Sequence, residues 1–193
     1  SKALGSRLSA NGDVMGLSYN TNNRTDSVAL SQTKIKSAAH KPGLIISSYA
    51  DYREHSLEGD VKSQFLLLDG VVPSSLSPLV SQAFANMAIL RQNKLYGHLS
   101  PEERRIKLDR VKIDLKNLTK VDPEGAMSHS MLYFACGHDS SGGKYVYNKI
   151  SDSFDYVWKK VVKEPTFTRI EGDMEELAKK NGGHYIRNPR SQL

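Results

Sequence analysis

The side chains best suited to proton or metal chemistry are few and scattered. Cys136-Gly137-His138-Asp139 sets an imidazole, which titrates near neutrality, beside a carboxylate, and further imidazoles stand at His129 and His184. A metal centre needs several ligands at fixed spacing, and none of these histidines has local partners so placed, so no metal is expected. The His138-Asp139 pair reads more simply as a turn in which the aspartate accepts from its own downstream amides. Asp69 follows the apolar run Phe65-Leu66-Leu67-Leu68 and precedes Gly70. A carboxyl at the end of a buried strand is desolvated, which raises its pKa and suits it to proton transfer, whereas capping of the Asp-Gly turn is the plainer role. Cys136 is the single cysteine, which excludes an intrachain disulfide, and its apolar neighbours mark it as a small core residue. A glycine-rich dinucleotide fingerprint, a phosphate loop, a HExxH helix and a serine-nucleophile elbow are all absent. A chain that held a dinucleotide alone would need such a cradle for the pyrophosphate.

The 193 residues carry a net charge of +6, an apolar fraction of 38% and no apolar run near the ~20 residues that span a bilayer. A soluble chain is expected, with an intracellular setting favoured and no transmembrane segment. Lysines and arginines alternate with acids, as in Arg104 to Lys116, so solvated helix faces account for them and nucleic acid is not an expected partner.

The elements follow from periodicity. Asn11-Gly12-Asp13 marks a turn before the strand Val14 to Tyr19, and apolar runs predict strands over Gly43 to Arg53 and at Gln64 to Leu68. Leu76, Leu79, Val80, Ala83, Phe84, Met87 and Ala88 form one helical stripe. Ser100-Pro101-Glu102-Glu103 is a capping box that opens a charged helix to Leu118. Strands are expected at Ser128 to Gly137, over Lys144 to Ile150 and over Phe154 to Trp158, then a helix from Pro165 to Lys180 stopped by Asn181-Gly182-Gly183, then a short strand. This order predicts an α+β fold, with a mostly antiparallel sheet and helices packed on one face.

Four segments, taken together, resemble the cholesterol-oxidase-like branch of the glucose-methanol-choline flavin oxidoreductases. They are LGSRLSANGDVMGLSYNT, FLLLDGVVPSSLSPLV, MLYFACGHDSSGGKYVY and ELAKKNGGHYIRNP, in the family's order and over nearly the whole chain. The resemblance implies a larger FAD-binding enzyme that oxidises a bulky apolar alcohol such as a sterol by hydride transfer to flavin. It makes Asn11, Gly12 and Asp13 the flavin-proximal loop, Phe65 and Leu68 substrate-facing, and Asp69 the retained candidate base, since the family's second acid is here Leu68.

The same resemblance divides the chain into 1–35, a remnant of the FAD-binding domain, and 36–193, the substrate-binding domain. The family's pyrophosphate fingerprint precedes the Asn-Gly-Asp loop, and its catalytic His-Pro-Leu-Gly-Gly motif follows the Asn-Pro segment. Neither occurs here, so the expectation is a part that does not hold FAD or turn over alone and that requires a missing FAD-binding segment or chain. The competing expectation is a non-catalytic lipid- or sterol-binding module, or a partner of a separate flavin-binding chain.

Overall fold

The computed structural model describes residues 4–27, 46, 48–53, 60–159 and 161–188. Alternating apolar residues build β1 (Val14–Tyr19), β3 (Phe65–Gly70) and β4 (Met131–Gly137), joined by β2 (Tyr49–Asp51) and β7 (His184–Arg187) into one five-stranded sheet ordered β2-β3-β4-β1-β7. Every neighbouring pair is antiparallel. Gly43 to Ile45, the start of the strand predicted to end at Arg53, and the expected boundary between residues 35 and 36 lie outside the described residues. β1, from the segment expected to be an FAD-domain remnant, is hydrogen-bonded between β4 and β7. The hairpin strands β5 (Lys144–Asn148) and β6 (Ser153–Val157) form a separate two-stranded sheet.

Directly opposed residues of antiparallel strands share a face, so the register assigns the two sides. On one side Val14, Phe65, Leu67, Tyr133 and Ala135 pack against Phe167, Ile170 and Met174 of α4 (Pro165–Lys180). On the other, Leu17 and Tyr19 meet α1 (Ser77–Leu90), α2 (Gln92–Tyr96) and α3 (Pro101–Lys116) through Ala85, Ala88, Tyr96 and Val111. The α+β class with an antiparallel sheet is thus what the chain adopts, and its helices divide between the two faces. They must, because the strands carry buried apolar residues at both odd and even positions.

Local signals account for the helix ends. Ser100 Oγ accepts from the Glu103 amide at 3.3 Å, and Glu103 Oε2 accepts from the Ser100 amide at 3.0 Å. Ser100→Ala should therefore lower stability by about 1 kcal/mol, read as a shift of the urea midpoint at unchanged slope. After α4 the chain turns at Gly182, φ +66°, and the Gly183 amide donates to Ala178 O at 2.8 Å, as the Asn-Gly-Gly stop predicts.

Two expectations about helix faces are corrected. α1 buries Ser77, Ser81, Ala85 and Ala88, while Leu79 is 71% exposed and Ala83 is exposed. The small residues let α1 approach α3 closely, which turns the predicted leucine stripe partly outward. α3, read as a broadly solvated charged helix, buries Lys107, Val111 and Asp114 along one line. Lys107 Nζ donates to Asn20 O and to Gly182 O, the latter at 2.9 Å, and so ties the ends of β1 and α4 to α3. Burial, with a smaller push from Arg110, lowers its pKa to about 8. Asp114 Oδ2 accepts from the Met127 amide at 2.8 Å.

Candidate functional site

An apolar cavity of about 360 Å³ opens where α1 leaves the sheet. Val80 and Phe84 wall it from α1, Leu17, Leu132 and Ile186 from three strands, and Val72 and Pro73 from the turn before the helix. Val80 and Phe84 belong to the helical stripe read from the sequence. None of Gln64 to Leu68 reaches the cavity; β1, β4 and β7 supply the opposite wall instead. Met15 stands at the mouth, 40% exposed. From there a strip runs across the same sheet face, because Met15 pairs with Phe134, Phe134 with Leu68, and Leu66 with Cys136. Met15, Phe134, Leu66 and Leu68 belong to neither core cluster. The volume and lining suit a bulky apolar molecule seated partly in the cavity and partly along the strip.

The loop Ser9 to Asp13 meets the turn after β4, bringing together two motifs far apart in sequence. Asp139 Oδ2 accepts from the amides of Ala10 at 2.7 Å and Gly12 at 3.1 Å and from Ser9 Oγ at 3.0 Å, while Oδ1 accepts from the Ser141 amide at 2.8 Å. The Gly137 amide donates to Asn11 O at 3.0 Å. Burial works to raise the Asp139 pKa, but the donors from Ser141, Ala10, Gly12 and Ser9 outweigh it and hold the carboxyl below its usual range. The turn role of Asp139 thus extends to clamping a second loop.

The sequence-predicted site residues fall into separate places. Asn11 and Phe65 share a small cavity of about 270 Å³ with Leu66, Cys136, Gly137 and His138. Phe65 itself is buried in the α4-side core and stacks on Tyr52 at 4.4 Å. Leu68 faces the opposite side, on the apolar strip. Asp69 lies within β3, half-buried on the α4 side, and accepts from the Ser48 amide at 2.8 Å. Asp69 and Leu68 therefore point to opposite faces. Asp13 and Asn11 are exposed, and Asp13 hydrogen-bonds the Cys136 thiol, whose pKa burial and then that carboxylate push up.

His129 is a core residue with Nδ1 on Gly125 O at 2.9 Å, and His138 is exposed. His184 packs on Tyr96 and His98, and burial, then His98 and Lys107, lower its pKa to about 4. Among the described residues no group of three or more His, Cys, Asp or Glu side chains could hold a metal.

The resemblance places the loop Asn11 to Asp13 beside a flavin, where free backbone amides would serve it. Its amides have other partners: Ala10 and Gly12 donate to Asp139, Asn11 to Ser9 Oγ at 3.0 Å, and Asp13 to Ala10 O at 3.0 Å. A Cβ on Gly12 would come within 2.6 Å of Gly137 C, so this glycine serves packing against β4. The described residues alone do not fit as a flavin cradle; the loop presents the exposed side chains of Asn11 and Asp13.

Fold and site together define an α+β chain with a ligand-sized apolar cavity at the junction of a helix and a sheet. Comparison with protein-family models, with curated proteins and with solved structures finds no match. Among the described residues no helix is long and apolar enough to cross a membrane.

Proposed function

We propose that this chain is the substrate-binding part of an FAD-dependent oxidoreductase acting on a bulky, sterol-like alcohol, with the flavin held by protein outside the described residues. The observation that carries this reading is the apolar cavity between α1 and the sheet, continued by the strip Met15, Phe134, Leu68 and Leu66. A rigid apolar skeleton would bury one end against Phe84 and Leu132 and leave its remainder on the strip. The clamped Asn-Gly-Asp loop directly precedes β1, at the end of the sheet where Leu66 lies. Its exposed Asn11 and Asp13 side chains supply polar groups beside an otherwise apolar surface.

The test is a titration with the fluorescent sterol dehydroergosterol, without FAD. Saturable binding is expected, weakened about tenfold by Phe84→Ala, roughly what losing one buried aromatic contact does to affinity. Binding that does not saturate, or that ignores Phe84→Ala, would sink the reading.

A second reading, a non-catalytic lipid- or sterol-binding module or a partner of a separate flavin-binding chain, is favoured by the internally satisfied amides of the loop. Absorbance of the tagged protein isolated from its native cells separates the two. A flavin band that co-purifies with the chain supports an oxidoreductase assembly, and bound sterol without flavin supports the module.

A further inference from the structure

A second cleft, of about 690 Å³, lies at the opposite end of the sheet from β2 and meets the apolar cavity at Ile186. Its floor is the edge of β7, Tyr185 to Arg187, flanked by α1 and α2 on one side and α4 on the other. β7 pairs with β1 alone among the described strands, so its outer backbone groups line the cleft. We propose that this cleft docks an extended acidic peptide of a partner protein, which adds to β7 as a sixth strand.

Two further observations point to such an occupant. The carboxylates of the α4 wall are already paired, Glu171 with Arg187 and Glu175 with Lys179, whereas Arg91 and Lys94 on the facing wall make no ion pair with a described residue. The unneutralised charge of the groove is therefore positive, complementary to an acidic strand. Gly172 lies in the middle of α4, where glycine weakens a helix relative to alanine. A Cβ built on it meets nothing within 4 Å, so no packing among the described residues requires the missing side chain. A strand laid along β7 does require it, because its backbone and inward side chains pass over this notch. Side chains alternate along a strand, so acids at every second position turn together toward Arg91 and Lys94 while small residues turn toward Gly172.

The probe is a fluorescein-labelled peptide alternating glutamate and threonine over about eight residues, enough to span an edge strand. Its counterpart carries lysine in place of glutamate. Anisotropy should show saturable binding of the glutamate peptide and about tenfold weaker binding of the lysine peptide, with the difference shrinking as salt rises. Amide exchange at Tyr185 to Arg187 should slow on binding. The double variant Arg91→Glu, Lys94→Glu should weaken binding about tenfold. Gly172→Leu should weaken it to a similar extent while its melting temperature holds or rises, because leucine favours the helix and the position is open. Equal affinity for both peptides, protection elsewhere, or unchanged binding by Gly172→Leu would overturn the proposal. A concentration-dependent dimer protecting the same amides would also overturn it, by giving this edge to a second copy. None of these readouts involves sterol or flavin, so the outcome is independent of the function proposed above.

Discussion

Asp114→Asn should stabilise the chain above neutral pH and remove a decline in stability expected of the native protein between about pH 4 and pH 7. The Asp114 carboxyl is buried between α3 and the Met127 segment, and burial raises its pKa to about 7; the Met127 amide and the Ser81 hydroxyl lower it somewhat, and Asp122 raises it further. In the unfolded chain the same group ionises near its reference value of about 3.9. Between those values the folded state binds the proton more tightly, so stability is greatest below about pH 4 and falls until the folded group ionises near pH 7. A shift of about three units corresponds to ~4 kcal/mol as an upper bound. Asparagine keeps an acceptor for the Met127 amide but adds donors to a buried site, so a net gain of ~2 kcal/mol at pH 8 is expected.

Urea unfolding of both proteins at pH 5 and pH 8 gives the answer. His129 and His184 have lowered pKa values in the fold, so they act in the opposite sense, stabilising as pH rises toward about 6.5. They are present in both proteins and cancel in the difference. A native protein whose stability relative to Asp114→Asn stays constant across this range would refute the assignment.

Elements fixed by local chemistry could be read along the chain, and those fixed by distant partners could not. The capping box at Ser100 and the Gly182-Gly183 stop after α4 involve atoms within a few residues of one another, and the structure has both. Lys107 was indistinguishable from its solvated neighbours on α3, because its acceptors, Asn20 O and Gly182 O, lie 87 and 75 residues away. The buried face of α1 was misplaced because the leucine stripe and the small-residue stripe are both helical; only the closeness of α3 selects the second. At the candidate site, Phe84 and Val80 were visible in the α1 pattern. Leu17, Leu132 and Ile186 look like any strand core residue until the register brings them to one wall. The Asn-Gly-Asp loop and the Gly-His-Asp turn were each legible as turns. Their union rests on contacts between residues far apart in sequence, with Asp139 reaching across 127 to 130 positions and the Gly137 amide meeting Asn11 O.

That union is sensitive to a single substitution at Gly12. Gly12 has φ +60°, and a Cβ there would lie 2.6 Å from Gly137 C and 2.9 Å from His138 N, both backbone atoms with no rotamer to yield. Gly12→Ala should cost about 1 to 2 kcal/mol for the left-handed backbone and more for the overlap, ~3 kcal/mol in all. Asp139→Ala removes the acceptor of the Ala10 and Gly12 amides but creates no overlap, and the loop is exposed enough for water to replace it. Its cost should be smaller, about 1 kcal/mol, with the effect concentrated in faster amide exchange at Ala10 and Gly12. Because the Asp139 carboxyl is held below its usual range, its stabilisation is full above about pH 4 and is lost as pH falls through the lowered value. At pH 7 the two variants should therefore rank with Gly12→Ala the less stable by thermal melting. The reverse order would mean that the Asp139 hydrogen bonds, rather than close backbone packing, hold the loop on β4.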